Sequence, residues 1–436
     1  MTALSRRISY LYTFIILLTT TSSSQEHPSI HEEELEEHKS EKIIVEQVDV
    51  LTGLENLILN YSEIVANKQV AIVTNHTGLD SRGRPNWIAI EEGTSAQVVA
   101  LFTPEHGLTG QFLAGEHVAY HSEEYIHLPK IFSLYGAIKK PAAHMLEGVE
   151  LLIYDIQDVG TRFYTYITTL GLVMEAAAEN DIPVLILDRP NPISGAKVSG
   201  PTLDLAHQSF VGYYPIPVQY GLTPGELAKM IVGENWIEAI PELEVIPMVN
   251  WSRELWNDET TIPWVPTSPN IPDVVTATVY PGTCFLEATN VSEGRGTPLP
   301  FLQAGAPWID GKLLSQKLNQ LNLDGVAFRP VSFTPRHPEK SGHMKYQDEN
   351  CNGVRIVVAD RRKFDPVLTG VHLLNLIHEL YPAEFEIQDK TLNRLFGTGE
   401  LFMLFQGNIT LQELLSIMVS DTSLFLELRK PYLLYP

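Results

Sequence analysis

Short apolar runs alternate with stretches of helical spacing through the first half of the chain. Four of these runs are rich in β-branched residues, which predicts buried strands at 69–74, 96–102, 149–156 and 182–187. Between the last two runs, the apolar residues of 165–180 recur at helical spacing and predict a helix. Continuous apolar strands that alternate with helices are typical of a parallel sheet covered on both faces. The pattern therefore predicts an α/β fold built on a mostly parallel sheet.

The second half of the chain repeats the alternation on a smaller scale. It predicts two further strands and two further helices, at 326–333, 354–359, 367–380 and 411–419. Proline and tryptophan are frequent in the segment between the halves, from 247 to 281, as expected near a domain boundary. We therefore predict an N-terminal domain at 51–275 and a smaller C-terminal α/β domain at 276–436.

The first fifty residues do not fit either domain. Two arginines, Arg6 and Arg7, precede a short apolar run and then small polar residues up to position 24, the pattern of a secretory signal peptide. Residues 25–50 are strongly acidic and predict a solvated linker. These features predict a protein that is exported to the periplasm or the extracellular space, without stable membrane insertion once the signal is cleaved.

Composition narrows the classes of partner. The 436-residue chain has 44% hydrophobic residues, enough for a sizeable core, and a formal net charge of −23. Such a charge argues against nucleic acid or an anionic membrane as a partner, although a local arginine cluster could still bind an acidic small molecule. The two cysteines, Cys284 and Cys351, are too few for a disulfide scaffold or a cysteine-ligated metal. The sequence does not decide whether they pair.

Polar side chains follow all four predicted strands of the first domain. They are Asn75 and His76 after the first, Glu105 and His106 after the second, Asp155, Asp158 and Arg162 at the third, and Asp188 and Arg189 after the fourth. In open parallel sheets, ligands bind outside the carboxyl ends of the strands, near the point where the strand order reverses. The sequence therefore predicts one crevice lined by these residues.

Two glutamates lie beside glycine-rich turns, and they suggest the chemistry. Glu105 and His106 precede Gly107, and Glu293 precedes the turn of Gly294 and Arg295. Glycosidic hydrolysis uses two carboxyl groups, one as a proton donor and one as a nucleophile or base. His106 could orient Glu105 or exchange a proton with it. Arginine side chains can bind a carboxylate through two hydrogen bonds, so Arg162, Arg189 and Arg295 predict an acidic sugar as substrate.

Other chemistries have weaker support. No G-x-G-x-x-G or Walker lysine loop is present, so we expect no nucleotide cofactor, and no other cofactor is indicated. His76, His106, Asp155 and Asp158 could ligate a divalent metal for hydrolysis, but their spacing matches no metal motif. No G-x-S-x-G elbow supports a serine hydrolase. A non-catalytic sugar-binding protein, which would need no matched pair of acids, is the other alternative.

Five ordered motifs resemble the bacterial exo-β-N-acetylmuramidase family. They are VTNHTG at 73–78, TPEHG at 103–107, YDIQDVGTR at 154–162, LDRPNP at 187–192 and NVSEGRG at 290–296. The resemblance runs from about residue 51 to the C-terminus. It implies a Rossmann-like N-terminal domain, a smaller C-terminal domain, and release of N-acetylmuramic acid (MurNAc) from the non-reducing end of peptidoglycan fragments during cell-wall recycling.

The resemblance also bears on the site residues. A glutamate that matches Glu105 is the favoured catalytic residue of the family, and the lactyl carboxylate of MurNAc agrees with the predicted arginines. Our own hypothesis adds Glu293 as the second acid, with His106 in support. The predicted substrate-binding residues are Asn75, His76, Asp155, Asp158, Arg162, Asp188, Arg189, Asn290 and Arg295. An alternative to carboxylate catalysis is the metal-dependent hydrolase or the muropeptide-binding protein described above.

Overall fold

The structure is a computed structural model that describes residues 47–112, 128–337 and 344–436. The predicted signal peptide at 1–24 and most of the predicted linker at 25–50 lie outside the described residues. Among the helices within the described ranges, none has the length and apolar character needed to cross a bilayer.

Eleven strands are described. In chain order they are β1 (Gln69–Thr74), β2 (Gln97–Thr103), β3 (Lys130–Ser133), β4 (Leu151–Asp155), β5 (Val184–Leu187), β6 (Ser199–Thr202), β7 (Pro217–Gln219), β8 (Leu243–Ile246), β9 (Gln303–Ala306), β10 (Val326–Phe333) and β11 (Cys351–Val358).

The described α-helices cover or connect these strands. They are α1 (Gly53–Asn60), α2 (Asn86–Gly93), α3 (Tyr166–Glu179), α4 (Pro224–Gly233), α5 (Val274–Thr283), α6 (Gly311–Gln320), α7 (Pro366–Leu380), α8 (Asp389–Phe396), α9 (Glu400–Phe405) and α10 (Leu411–Leu428).

Six strands form one parallel sheet in the order β3-β2-β1-β4-β5-β8. From β1 the chain moves outward through β2 to β3, returns to β4 beside β1, and then moves outward the other way. The strand order therefore reverses between β1 and β4, which is the point where open α/β sheets bind ligands. The predicted α/β fold with a mostly parallel sheet is confirmed.

Alternate residues of each strand face opposite layers of helices. On β1, Val70 and Ile72 belong to a buried cluster with α1 and α2, whereas Ala71 and Val73 belong to a larger cluster with α3 and α4. Helix α1 starts with a capping box in which the Thr52 side chain accepts a hydrogen bond from the backbone of Glu55 and the Glu55 carboxylate accepts one from the backbone N–H of Thr52. The two layers hold the strand ends, and hence the crevice, in a fixed arrangement.

A smaller antiparallel sheet, in the order β10-β11-β9, lies in the second half of the chain. The helices α5 and α7 cross closely there, because a Cβ atom at Gly282 would lie 1.8 Å from the carbonyl oxygen of Pro366. Both cysteines are buried as free thiols, Cys284 after α5 and Cys351 at the start of β11. The predicted domain boundary at 275/276 stays a prediction.

Candidate active site

The carboxyl ends of β1, β2 and β4 lie side by side at the reversal point. Thr74, the last residue of β1, pairs with Asp155 of β4, and Val73 pairs with Phe102 of β2. The polar segments that begin at Asn75, Glu105 and Asp155 therefore leave the same edge of the sheet. Parallel strand pairing brings these segments together, as the apolar pattern predicts.

Glu105 occupies the first turn after β2 and is half-buried. Its Oε2 accepts a hydrogen bond from the hydroxyl of Thr165 at 2.8 Å, and Thr165 is the residue that precedes α3. Burial raises the pKa of Tyr164 above its usual range, and the charge of Glu105 raises it further. The rings of Tyr164 and Tyr166 meet edge to face at 4.8 Å beside this carboxylate. Glu105 therefore faces the start of α3 with a defined orientation.

His106 adopts a left-handed backbone conformation, with a φ of 69°. Non-glycine residues rarely adopt such angles, and they concentrate at functional sites. The Nδ1 atom of His106 lies 2.7 Å from the carbonyl oxygen of Phe112, so Nδ1 carries the hydrogen. The left-handed turn continues at Gly107 and ends at Gly110, both with positive φ. The loop after β2 is thus folded back on itself around Glu105.

His76 reaches from the end of β1 to a segment far along the chain. Its Nε2 lies 2.7 Å from the carbonyl oxygen of Pro266, and the hydroxyl of Tyr166 donates to the carbonyl oxygen of Thr267 at 2.9 Å. Segment 266–268 therefore lies between His76 and the start of α3. The sequence analysis did not single out this segment or residues 164–166. Residues 164–166 directly follow the 154–162 motif, which is a usable signal, whereas segment 266–268 carries none.

Several buried polar atoms at the ends of β1 and β4 have no hydrogen-bond partner among the described residues. They are Asn75 Nδ2, His76 Nδ1, Gln157 Oε1 and Asp158 Oδ1. Proteins leave few such atoms unpaired, and a group of them in one place needs water or a polar ligand. Hydroxyl and amide groups of a sugar would satisfy donors and acceptors of this kind.

Glu293, the predicted second carboxylate, is buried and bonded to two cations, and its catalytic role stays a prediction. Its side chain is 1% exposed, and its carboxylate pairs with Lys345 at 2.9 Å and Arg295 at 3.4 Å. Burial raises the pKa of Glu293, but the charges of Lys345 and Arg295 outweigh burial and hold the pKa below its usual value. The ionised form is the one that a nucleophile or base needs, but in this structure both oxygens of Glu293 already pair with cations.

The three predicted arginines form hydrogen bonds and ion pairs within the protein. Arg162 is fully buried and donates to the carbonyl oxygens of Pro201, Ile216 and Leu395. Arg189 pairs with Asp155 at 2.5 Å, and its NH2 group donates to the carbonyl oxygen of Leu79. Arg295 pairs with Glu287 at 2.7 Å and with Glu293. Most of their donors thus face internal partners, although Nε of Arg162 and Nε of Arg295 have no partner among the described residues. Their binding of a substrate carboxylate stays a prediction.

Glu287 is an acid that the sequence analysis missed. It lies six residues before Glu293 and shares Arg295 with it, but its side chain is 28% exposed. A chain of aromatic contacts joins this segment to the surroundings of Glu105. Tyr164 meets Tyr280 at 6.2 Å, Tyr280 meets Phe301 at 4.7 Å, and Phe301 lies under Arg295.

The remaining predicted binding residues have structural partners. Asp155 accepts from Arg189 and from Asn86, and Asn290 bonds the backbones of Glu384 and Glu386. Asp188 accepts hydrogen bonds from the hydroxyls of Thr223 and Tyr435 and from the backbone of Gly225. Burial raises the pKa of Asp188 to about 7. These hydrogen bonds stabilise the ends of the strands. Among the predicted acids, only Asp158 has a buried oxygen without a partner among the described residues.

The metal alternative finds no support in the geometry. His76 bonds Pro266, Asp155 pairs with Arg189, and Asp158 accepts from the hydroxyl of Tyr220. Across 47–112, 128–337 and 344–436, no three histidine, cysteine or acidic side chains are placed to hold a metal ion together.

Comparisons with known proteins identify relatives of the whole described chain. The family model described as "Exo-beta-N-acetylmuramidase NamZ, N-terminal" matches residues 70–275, and its C-terminal counterpart matches residues 278–435. The peptidoglycan beta-N-acetylmuramidase NamZ of Bacillus subtilis (strain 168) is 41% identical over 387 residues, which cover 88% of this chain and 91% of the relative.

Two crystal structures of DUF1343 family proteins from Bacteroides fragilis NCTC 9343 have the same fold. The first superposes with a TM-score of 0.81 at 31% identity and covers 89% of this chain and 100% of its own. The second superposes with a TM-score of 0.67 at 32% identity and covers 89% of this chain and 99% of its own.

Proposed function

This chain belongs to the exo-β-N-acetylmuramidase NamZ family, and we propose that it is a glycosidase that releases MurNAc from the non-reducing end of peptidoglycan fragments. The observation that carries the proposal is the position of Glu105. It is a half-buried carboxyl group at the reversal point of the sheet, inside the region that the N-terminal family model matches. The family resemblance seen in the motifs is confirmed.

Glu105 is the proposed proton donor. As the bond between the anomeric carbon and the glycosidic oxygen breaks, the oxygen receives the proton of Glu105. A water molecule then supplies the hydroxyl that ends on the anomeric carbon, and its remaining proton restores the carboxyl group of Glu105. The hydroxyl of Thr165 holds Oε2 of Glu105, which fixes the plane of the carboxyl group. A fixed carboxyl group favours catalysis, because proton transfer in the transition state requires hydrogen-bond geometry between the donor and the glycosidic oxygen.

The polar groups beside Glu105 are proposed to bind the sugar. Asn75, His76 and Asp158 each carry a buried polar atom without a partner among the described residues, and His106 shapes the loop that carries Glu105. The predicted arginines instead brace the walls of the crevice. Recognition in this proposal therefore depends on neutral hydrogen bonds to hydroxyl and amide groups rather than on ion pairs.

The proposed location follows from the substrate and the N-terminus. Peptidoglycan fragments arise outside the cytoplasmic membrane, and residues 1–24 have the pattern of a secretory signal. We therefore propose a periplasmic or extracellular enzyme. Retention of the epitope-tagged full chain in the cytosolic fraction of its host would contradict this location.

The direct test is incubation of the purified protein with a disaccharide of MurNAc β-linked to N-acetylglucosamine. We expect free MurNAc, detected by mass spectrometry, and no cleavage when the terminal 4-hydroxyl is methylated. Exhaustive chelation should leave the rate unchanged, and its loss would revive the metal alternative. Binding of the disaccharide without turnover would contradict the proposal and favour a muropeptide-binding protein.

A further inference from the structure

The imidazole of His76 is held in one tautomer. Its Nε2 lies 2.7 Å from the carbonyl oxygen of Pro266. A carbonyl oxygen only accepts hydrogen bonds, so in the neutral ring Nε2 carries the hydrogen and Nδ1 carries a lone pair. That Nδ1 atom is buried and has no partner among the described residues. His76 therefore presents a buried hydrogen-bond acceptor that no described residue satisfies.

Gly110 packs against the ring without blocking this lone pair. A Cβ atom built on Gly110 would lie 2.4 Å from both Nδ1 and Cε1 of His76 and 2.6 Å from Cγ. Near-equal distances to three adjacent ring atoms place the glycine over the face of the imidazole. An atom along the in-plane lone pair would be much closer to Nδ1 than to the other two. The absence of a side chain at Gly110, which has a φ of 71°, thus permits this close contact with the face of the ring.

The surroundings keep the ring neutral. Burial lowers the pKa of His76 and the neighbouring His106 lowers it further, which together outweigh the opposing effect of the Pro266 hydrogen bond. A protonated Nδ1 would be a donor, so only the neutral ring can accept. The lowered pKa of His76 therefore favours the accepting form of the ring.

We propose that Nδ1 of His76 accepts a hydrogen bond from the free 4-hydroxyl of the terminal sugar and thereby restricts cleavage to chain ends. The inference rests on the proposed function and adds a specificity-determining residue to it. A MurNAc residue at the non-reducing end offers three neutral donors, namely the 4-hydroxyl, the 6-hydroxyl and the amide. Of these, only the 4-hydroxyl distinguishes a terminal residue from an internal one, whose O4 is part of a glycosidic bond and carries no hydrogen.

The energetic reason is the cost of leaving a buried acceptor unpaired. A substrate without the 4-hydroxyl would strip Nδ1 of water and return no hydrogen bond, which leaves a buried acceptor unpaired. Sites built around a buried hydrogen bond reject analogues that lack the matching group far better than apolar pockets reject an extra methylene. Discrimination should therefore appear in kcat/KM for substrates that differ only at carbon 4.

The test pairs a side-chain change with a substrate change. His76→Gln retains an amide N–H that can reach the Pro266 carbonyl but places no acceptor at the position of Nδ1, because its amide oxygen lies one bond farther along the side chain. His144→Gln, an exposed histidine before the amino end of β4, is the matched control. Each protein is assayed on the nitrophenyl glycosides of MurNAc, 4-deoxy-MurNAc and 6-deoxy-MurNAc.

Wild type and His144→Gln should lose about 100-fold in kcat/KM when the 4-hydroxyl is removed. His76→Gln should cleave the parent and the 4-deoxy substrate within a factor of about 3 of each other. His76→Asn, whose amide oxygen can occupy the position of Nδ1, should keep part of the discrimination and serves if His76→Gln does not fold.

Three results would overturn the inference. One is an equal loss on the parent and the 4-deoxy substrate in His76→Gln, which indicates a structural or general role. Another is discrimination that follows the 6-hydroxyl instead. The third is that wild type turns over neither the disaccharide nor any of the three glycosides. This result would reject the proposed function itself, whereas the first two would reject only the role of His76.

Discussion

Asp158 is a buried acid that bonds through one oxygen only. Its Oδ2 accepts hydrogen bonds from the hydroxyl of Tyr220 and the backbone of Gly160, and its Oδ1 is buried without a partner among the described residues. Burial raises the pKa of Asp158 to about 6, and hydrogen bonds from Tyr220 and from the backbones of Gly160 and Val159 only partly offset that effect. The protonated form therefore suits the fold better than the carboxylate.

We predict that Asp158 makes the protein less stable as the pH rises from about 4 to about 7. In this window the unfolded chain has already lost the proton that the folded protein still holds, so the free energy of unfolding falls with pH. The rise in pKa from 3.8 to about 6 corresponds to about 3 kcal/mol. Asp158→Asn imitates the protonated acid and should remove this part of the pH dependence.

Urea unfolding of wild type and Asp158→Asn at several pH values checks this prediction. The difference in unfolding free energy should grow by about 3 kcal/mol in favour of Asp158→Asn between pH 4 and pH 7. Asp324→Asn, which changes an exposed aspartate, should give a curve parallel to that of wild type. Parallel curves for Asp158→Asn as well would mean that Asp158 is ionised in the folded protein throughout.

The two glutamates show how far single residues can be predicted from the sequence. Glu105 and Glu293 both precede glycines in polar loops, so their chemistry looks alike in the sequence. Their difference comes from Lys345, which lies 52 residues after Glu293 and neutralises it. Local sequence cannot reveal such a partner. The same holds for Arg162. The sequence shows an arginine in a polar motif, but it does not show the distant carbonyl groups that surround this side chain in the fold.

Long apolar elements were predictable, because their own residues determine them. The strands β1 and β10 have the predicted limits, and the helix predicted at 165–180 is α3. The capping box at the start of α4 depends on neighbouring residues alone, since the Thr223 side chain accepts a hydrogen bond from the backbone of Glu226 three residues later. These elements place the strand ends, and so the general position of the crevice followed from the sequence.

Short strands were not predictable, because distant partners determine them. The strands β6, β7 and β9 have three or four residues each and contain proline, glycine or polar side chains. Each is a strand only because it pairs with a neighbour, as β9 does with β11 across almost fifty residues. The segment 266–268 is similar, since its place beside His76 depends on tertiary packing alone.

Arg162 joins parts of the molecule that are far apart in the chain. Its guanidinium group bonds a carbonyl of β6, a carbonyl just before β7 and, through Leu395, the end of α8. Burial without a counter-charge lowers the pKa of Arg162 to about 9, which is still high enough to keep the charge at neutral pH. The residue therefore connects the crevice loop after β4 to the C-terminal part of the chain.

We predict that Arg162→Met destabilises the protein by at least about 3 kcal/mol, because three buried carbonyl groups lose their donors. Activity of the folded fraction at low temperature should change little in KM. Urea unfolding and steady-state kinetics measure the two effects, with Arg82→Met at an exposed position as the control. A tenfold rise in KM with unchanged stability would restore the substrate-binding role.

The central claim, that Glu105 gives a proton to the departing oxygen, is tested most directly by the leaving-group dependence of Glu105→Gln. The measurement is kcat/KM on MurNAc glycosides whose leaving groups range from N-acetylglucosamine to a strongly acidic nitrophenol. Glu63→Gln, at an exposed glutamate, is the control, and the melting temperatures of all proteins are compared.

A strongly acidic nitrophenol can leave as its anion with little help from a proton donor, whereas the weakly acidic hydroxyl of a sugar must receive a proton as it leaves. We therefore predict that Glu105→Gln loses about 10³-fold on the disaccharide and far less on the most acidic nitrophenyl glycoside, while its melting temperature stays near that of wild type. Activity within tenfold of wild type on the disaccharide, or an equal loss with every leaving group, would contradict the account.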